Sequence, residues 1–217
     1  MENVDEIKKR HEGSLKTLWK IYQSDEPFYY NLYFLVSLGL TIILFLVSLF
    51  SNESTYTLIQ SIANSTVSVL PNLLGFSLGA YILIVGFGGT EILNVITKPL
   101  KGQKNFSFYQ KLNAVFGVTV LLEIIALLIS FVLIYLDKSL PILHTVKFSF
   151  IYYVIVILNL LVLFIALFAV MYSLFMLINV IKQVFIFAQT IHFCVYISKI
   201  KEEKEQQAKN VKKDEVV

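Results

Sequence analysis

Glu123 is the residue of this sequence best placed to do chemistry, because it is an acidic side chain within a long apolar stretch, VTVLLEIIALLIS. A carboxyl at the centre of a membrane-spanning helix costs about 2.5–3.5 kcal/mol on insertion scales, so such residues face a bundle interior or a water-filled cavity and find polar partners. Asn159 lies near the middle of a later apolar stretch. We expect Asn159 to hydrogen-bond to Glu123 and to favour the neutral carboxyl. Two roles are open: a structural bond between helices, or ion conduction, proton sensing or gating.

A face of small and polar residues runs through SVLPNLLGFSLGAYILIVGFGG. The residues that recur on this face at helical spacing are Ser68, Asn72, Gly75, Gly79, Ile82 and Gly86, of which only Ile82 is large and apolar. The G-x-x-x-G pair within it lets another helix approach closely in lipid, where association depends on packing. The face therefore predicts either helix packing within one subunit or a surface that meets other subunits or a pore.

Asn113 and Gly117 precede Glu123 at similar spacing. They would extend a second small and polar face toward the start of that apolar stretch. Asn113 and Asn72 are therefore further candidates for polar or gating groups inside the membrane.

The other reactive side chains do not form a catalytic or metal-binding set. His11, His144 and His192 are scattered over three regions, and Cys194 is the one cysteine, too few for a disulfide or a cysteine-based metal site. The sequence contains no phosphate-binding loop, HExxH helix or recognisable serine–histidine–acid set. We therefore predict a non-enzymatic protein with no catalytic residue, metal or cofactor. The basic segments are short and mixed with glutamates, which argues against direct binding of nucleic acid.

Four apolar stretches must position these residues. The chain has 217 residues, of which 57% are hydrophobic and only 15% charged, whereas soluble domains keep about a quarter charged. A membrane-spanning helix needs about 20 apolar residues. The predicted spans are 28–50, 69–89, 112–136 and 148–170. They indicate an all-α fold, an integral membrane four-helix bundle occupying residues 28–181.

The lysines predict the orientation of these spans. The N-terminal segment, the loop between the second and third spans, and the C-terminal tail together hold 16 of the 18 basic residues. Basic residues near span ends stay on the cytoplasmic side, so both termini are predicted to be cytoplasmic. Of the basic residues only Arg10 is arginine, a bias typical of AT-rich prokaryotic genomes. We accordingly expect a bacterial inner-membrane protein.

Both ends of the chain are predicted to be helical. Residues 1–27 carry an amphipathic stripe with Trp19 beside it, and this segment could lie on the lipid surface or pack on the cytoplasmic end of the protein itself. Ser24 to Pro27 is predicted to cap the first span. The fourth apolar region is too long for one crossing, so residues 182–217 are predicted to continue it as a cytoplasmic helix that ends in a charged tail. A helix that is apolar nearly all round must be covered, and the candidate covers are the N-terminal helix and the same helix of neighbouring subunits.

The stretch PNLLGFSLGAYILIVGFGG resembles the second span of small four-span membrane subunits of prokaryotic antiviral defence systems. These are the Kiwa-type membrane subunit and the membrane accessory proteins of type VI CRISPR loci. The resemblance implies a homo-oligomeric inner-membrane protein that senses membrane disturbance or forms a pore. It also implies a cytosolic effector protein docked on the terminal helices, but it assigns no functional residue.

These observations favour a homo-oligomeric membrane protein that acts as sensor, pore or membrane anchor in antiphage defence. The alternative is a small ion or solute channel or transporter unrelated to defence. A transporter of four spans would also need oligomerisation, since the sequence shows no inverted repeat of broken helices. A membrane enzyme acting on lipid is a third interpretation, and it requires polar catalytic groups that this sequence scarcely offers.

Overall fold

The computed structural model describes residues 13–24, 27–86, 96–97, 106–139 and 149–214. Its helices within these ranges are α1 (Leu15–Tyr22), α2 (Leu32–Leu49), α3 (Thr55–Gly86), α4 (Phe108–Ser139) and α5 (Ser149–Asp214), with a 3-10 turn at Phe28–Tyr30. Four of them, α2 to α5, are long and apolar enough to cross a membrane. The predicted all-α bundle with four long apolar helices is confirmed, and this is the architecture of a multi-pass membrane protein.

Polar side chains begin the helices by satisfying their first amide groups. Ser14 accepts a hydrogen bond from Thr17 N at the start of α1, and Asn31 accepts one from Tyr33 N at the start of α2. The cap of α2 is thus Asn31 rather than the predicted Ser24 to Pro27 segment. At the start of α4, Ser107 Oγ accepts from Gln110 N and Gln110 Oε1 accepts from Ser107 N, which is a reciprocal capping box.

Helix α3 begins at Thr55, well before the predicted span start at residue 69. The preceding connection is only Phe50 to Ser54. The polar run between Ser61 and Ser68 is helical, because a helix requires only that backbone groups pair and the polar side chains can project outward. Helix α5 runs unbroken to Asp214, which confirms the predicted long extension of the fourth helix.

The centre of the bundle is formed by α3, α4 and α5, which pack on one another, while α2 packs mainly on α5 and α1 packs on α4. One buried cluster joins the three central helices, through Ile84 of α3, Leu112 and Phe116 of α4, and Val180 and Phe187 of α5. The ring of Phe34 in α2 meets Phe168 and Tyr172 of α5 edge-on, with centroids 5.6 Å apart in both pairs.

The helices differ in length, which sets their overlap. At 1.5 Å per residue, α2 is about 27 Å long and α3 and α4 are each about 48 Å, compared with about 30 Å of hydrocarbon. Because α2 begins level with Tyr172, the cluster around Val180 lies about 12 Å beyond that level. The end of α3, the start of α4 and the middle of α5 therefore continue together past the start of α2. Helix α1 lies beside this part of the bundle, which we call the α1 end.

Candidate functional site

Helix α3 presents two chemically different faces. Its buried face contacts the rest of the bundle and consists of Ile59, Ala63, Thr66, Leu70, Ser77 and Ile84. These residues recur at intervals of three, four and seven, which keeps them on one side of a helix. This face is mainly apolar, with Thr66 and Ser77 as its hydroxyl-bearing members.

The small and polar face predicted from the sequence lies on the opposite side of α3. With about 100° of rotation per residue, Gly75 and Gly79 each lie about 160° from Ser77. Ser68, Asn72, Gly75 and Gly86 are exposed, and Gly79 is half-buried. Three further polar residues lie on the same side and are also exposed: Ser61, Asn64 and Ser65.

The glycines of this face have open space beside them. A β-carbon built on Gly75, Gly79 or Gly86 would meet no atom of another described residue within 4 Å outside its own local backbone. Interpreting the face as packing within one subunit is therefore wrong at these three positions. Within the described residues these positions are open to lipid, to another subunit or to a pore.

Glu123 is fully buried between helices, with 0% of its surface exposed. Ser77 donates its hydroxyl to Glu123 Oε1 at 3.0 Å, which links the buried face of α3 to α4. Glu123 Oε2 is also buried, and it has no hydrogen-bond partner among the described residues. The site thus combines one satisfied and one unsatisfied carboxyl oxygen in the bundle interior.

The predicted partner of Glu123 was wrong, because the hydrogen bond comes from Ser77 and not from Asn159. Asn159 is half-buried in α5, one turn before the buried Leu163. The α5 residues that pack with Val118, five positions before Glu123, are Tyr172 and Met176. Asn159 lies about 20 Å along α5 from Tyr172. Because Glu123 is five residues from Val118 in the direction of Asn159, the two side chains still differ in depth by about 12 Å.

The N-terminal helix is packed on the bundle, as one of the two sequence interpretations expected. The side chain of Leu18 lies over Gly117 of α4. Tyr22 donates its hydroxyl to Met176 Sδ at 3.4 Å and accepts a hydrogen bond from Asn31 Nδ2 at 3.2 Å. Burial raises the pKa of the Tyr22 phenol, and the nearby Tyr172 adds to the effect. Tyr22 thus connects α1 to both α2 and α5.

Aromatic rings continue from α1 onto the turn before α2. Trp19 lies 5.7 Å from Phe28, centroid to centroid, and Tyr29 lies 4.8 Å from Tyr30. Trp19, Tyr29 and Tyr30 are exposed. Exposed tryptophan and tyrosine rings are typical of the boundary between lipid and water, so we take this level as one edge of the hydrocarbon.

Buried hydroxyls form a set that sequence reasoning did not single out. Thr41, Thr66 and Thr119 are nearly or completely buried. Each donates to a backbone carbonyl four residues earlier: Ser37, Ile62 and Val115, respectively. Their sequence signal was a hydroxyl residue inside an apolar helix, and because each is satisfied by its own helix, these groups hold the fold rather than offering a site.

Asn113, the remaining candidate, is half-buried near α1, away from the Ser77–Glu123 pair along α4. Of the histidines, His192 is exposed on the extension of α5, while His11 and His144 lie outside the described residues. Within the described ranges, no three histidine, cysteine, aspartate or glutamate residues come together as a metal site.

Comparison with known proteins adds no family to this geometry. No protein-family model, curated protein or solved structure matches the chain.

Proposed function

We propose that this chain is a non-enzymatic protein of the bacterial inner membrane that assembles into homo-oligomers around a pore lined by the outward face of α3. The observation that carries the proposal is the position of the small and polar face, which points away from the bundle that contains it. A helix surface that meets only lipid is expected to be apolar. This one is polar or small at most of its positions.

Asn72 gives the strongest energetic reason for a partner. Its amide is exposed at a depth close to Ser77, where lipid offers no hydrogen bonds, and an unsatisfied polar group there costs several kcal/mol. Water in a pore, or the same helix of a neighbouring subunit, would satisfy the amide. Gly75 and Gly79 supply the close approach that such a neighbour needs.

The length of the outward face favours a pore over a single contact point. From Ser61 to Gly86 the face extends about 37 Å, slightly more than the hydrocarbon thickness of about 30 Å. None of the described residues on this face is charged. Since strong ion selectivity usually needs rings of charge or ordered carbonyl groups, we expect a weakly selective pore.

Ser77 and Glu123 lie behind this face and hold α3 against α4. Of the two roles open for Glu123, the geometry supports the structural bond between helices. Ser77 and Gly79 are only two residues apart on one helix, so a shift of the pore face would also strain the Ser77–Glu123 hydrogen bond.

The biological setting rests on sequence features. The glycine-rich span that resembles defence-system membrane subunits supports a role in antiphage defence, and the lysine distribution supports cytoplasmic termini. The far end of α5 would then be available to a cytosolic effector. A small ion or solute channel unrelated to defence is the alternative, because an outward polar face serves either role. Phage challenge of cells carrying the gene separates them: protection supports defence, and flux without protection supports the alternative.

Thiol accessibility tests the pore directly. In a Cys194→Ser background, Asn72→Cys is placed on the proposed pore face and Leu128→Cys on an apolar, exposed surface of α4. In liposomes, a membrane-impermeant thiol reagent should modify Asn72→Cys and reduce conductance, and should leave Leu128→Cys unmodified. Equal modification of the two variants, or modification without a change in conductance, would contradict the pore.

A second measurement tests assembly. Gly79→Leu should reduce the oligomer mass measured in nanodiscs, because its side chain fills the space needed by a neighbour. Gly39→Leu in α2 is the matched control, since Gly39 also has open space beside it but lies outside the proposed face. If both variants keep the parent mass, α3 is not the assembly surface.

A further inference from the structure

A cavity of about 630 Å³ lies between α1 and the start of α4. This volume falls within the range of about 300–1,000 Å³ found for small-molecule sites. The described lining of the cavity comes from α1, from Thr97 and from the first turns of α4. The pore proposal uses none of these residues. It therefore needs an explanation of its own.

The lining has two parts. An apolar floor comes from Leu15, Leu18, Ile21 and Ala114. A hydrogen-bonding edge comes from the capping residues of α1 and α4 and from Asn113: Ser14, Thr17, Ser107, Gln110 and Asn113. None of the described lining residues is charged. A ligand with a formal charge would lose hydration here without gaining an opposite charge.

Among the polar residues of this edge, Asn113 is the one with a hydrogen-bond acceptor that a ligand could satisfy. Its Oδ1 atom is buried and has no hydrogen-bond partner among the described residues. By contrast, Ser14 and Ser107 already accept hydrogen bonds from the amides of Thr17 and Gln110. A buried acceptor without a donor costs about 1–3 kcal/mol, and a hydroxyl group in the cavity would remove that cost.

The depth of the cavity identifies the source of such a ligand. Leu18 and Ile21 line the cavity, and Trp19 between them is exposed and lies against Phe28 of the aromatic turn. That turn marks the boundary between lipid and water. A mono- or diacylglycerol in the bilayer presents an uncharged glycerol hydroxyl with attached acyl chains at this depth.

We propose that the cavity between α1 and α4 binds an uncharged glycerolipid, with a glycerol hydroxyl donating to Asn113 and an acyl chain lying along the apolar floor. Helix α1 then forms one wall of a lipid site as well as packing on α4. This proposal is separate from the pore, because binding is counted per chain and does not depend on assembly.

The test uses 1-monooleoylglycerol as the probe and native mass spectrometry of the full-length protein as the readout. The parent protein should retain one probe molecule per chain. Asn113→Leu, which keeps the side-chain size but removes the acceptor, should weaken retention about tenfold, equivalent to about 1.4 kcal/mol. Ala114→Phe, at a buried position of the floor, should abolish retention. Asn159→Leu is the matched control and should behave as the parent.

Three results would overturn the proposal. The first is parent-like retention by both cavity variants while each keeps the parent melting temperature. The second is equal competition by an anionic oleoyl lipid, since the described lining residues carry no positive charge to offset its lost hydration. The third is probe retention that appears only when residues 1–12 are deleted, because the chain's own N-terminal residues would then be the occupant.

Discussion

Leu18 of α1 occupies the space that a side chain on Gly117 of α4 would need. A β-carbon built on Gly117 would lie 2.5 Å from Leu18 Cδ1 and 3.5 Å from its Cγ. Gly75, Gly79 and Gly86 have no atom of another described residue within 4 Å of such a β-carbon, so glycines at similar helical spacing have different surroundings in α3 and α4. The surface at Gly117 is covered by α1 of the same chain, whereas the surface at the α3 glycines is free to contact another chain.

We predict that Gly117→Leu displaces α1 from the bundle, because two leucine side chains cannot share this space. Trp19 is the one tryptophan of the chain and lies on α1, so its fluorescence should report the displacement. Adding Leu18→Ala should recover much of the parent spectrum, since it vacates the space that the new side chain needs. Gly39→Leu serves as the control for adding a leucine where space is open. An unchanged Trp19 signal in Gly117→Leu would show that α1 is not held by this contact.

The Ser77–Glu123 hydrogen bond should stabilise the bundle measurably. Ser77→Ala leaves Glu123 Oε1 without its donor, so the free energy of unfolding should fall by about 1–3 kcal/mol. The double variant Ser77→Ala/Glu123→Leu should recover most of this loss, because replacing both partners by apolar groups can be nearly neutral. Unfolding in detergent, followed by circular dichroism, measures each variant.

Ser68→Ala is the control for that series. Ser68 lies on the same helix but is exposed, and it donates only to the carbonyl of Ser65. Its removal should change stability by less than about 0.5 kcal/mol. Equal effects of Ser77→Ala and Ser68→Ala would mean that the buried pair contributes no more than an exposed hydroxyl.

Sequence periodicity was sufficient to predict the long apolar helices and to group the residues of the α3 face. Both depend on the 3.6-residue repeat and on the cost of placing charge in lipid, which are local properties of the chain. The start of α3 at Thr55 was missed for a related reason. Hydropathy reports how favourably a segment enters lipid, not whether it is helical. The polar run from Ser61 to Ser68 has low hydropathy, although the structure shows it to be helical.

The partner of Glu123 could not be predicted from the sequence, because it depends on how far the helices are shifted along one another. A hydrogen bond between Glu123 and Asn159 would require the midpoints of their two apolar segments to lie at the same depth. In the structure α3, α4 and α5 all extend beyond α2, so midpoints of apolar segments do not coincide in depth. Serine at position 77 gave little signal among many small residues, and only the packing of α3 on α4 brings it to the carboxyl.

Tyr22 should make stability depend on pH in the alkaline range. Burial raises its pKa in the folded protein, whereas the unfolded phenol titrates near 10. Below about pH 10 both states keep the proton and the contribution is complete. Above that value the unfolded state loses its proton first, so stability should fall by up to about 1.4 kcal/mol per pH unit until the folded phenol also titrates.

Tyr22→Phe isolates this effect from lysine titration in the same range. The variant also loses the hydrogen bonds to Met176 and Asn31, so it should be less stable at pH 8 by about 1 kcal/mol. The difference between parent and variant should then shrink from pH 10 to 11. Parallel stability curves for the two proteins over that range would mean that the Tyr22 phenol is not protected from solvent.

The far part of α5 should be separable from the stability of the bundle. Phe187 is 4% exposed and belongs to the cluster with Ile84 and Val180, whereas Phe193, less than two turns later, is 63% exposed. Phe187→Ala should therefore cost about 3–5 kcal/mol, and Phe193→Ala should change the free energy of unfolding by less than about 0.5 kcal/mol. If an effector docks on the end of α5, Phe193→Ala should weaken its co-purification while the melting temperature stays at the parent value. A large loss of stability in Phe193→Ala in nanodiscs would instead show that this side chain is buried between subunits, which would make the α5 extension part of the assembly rather than a free docking surface.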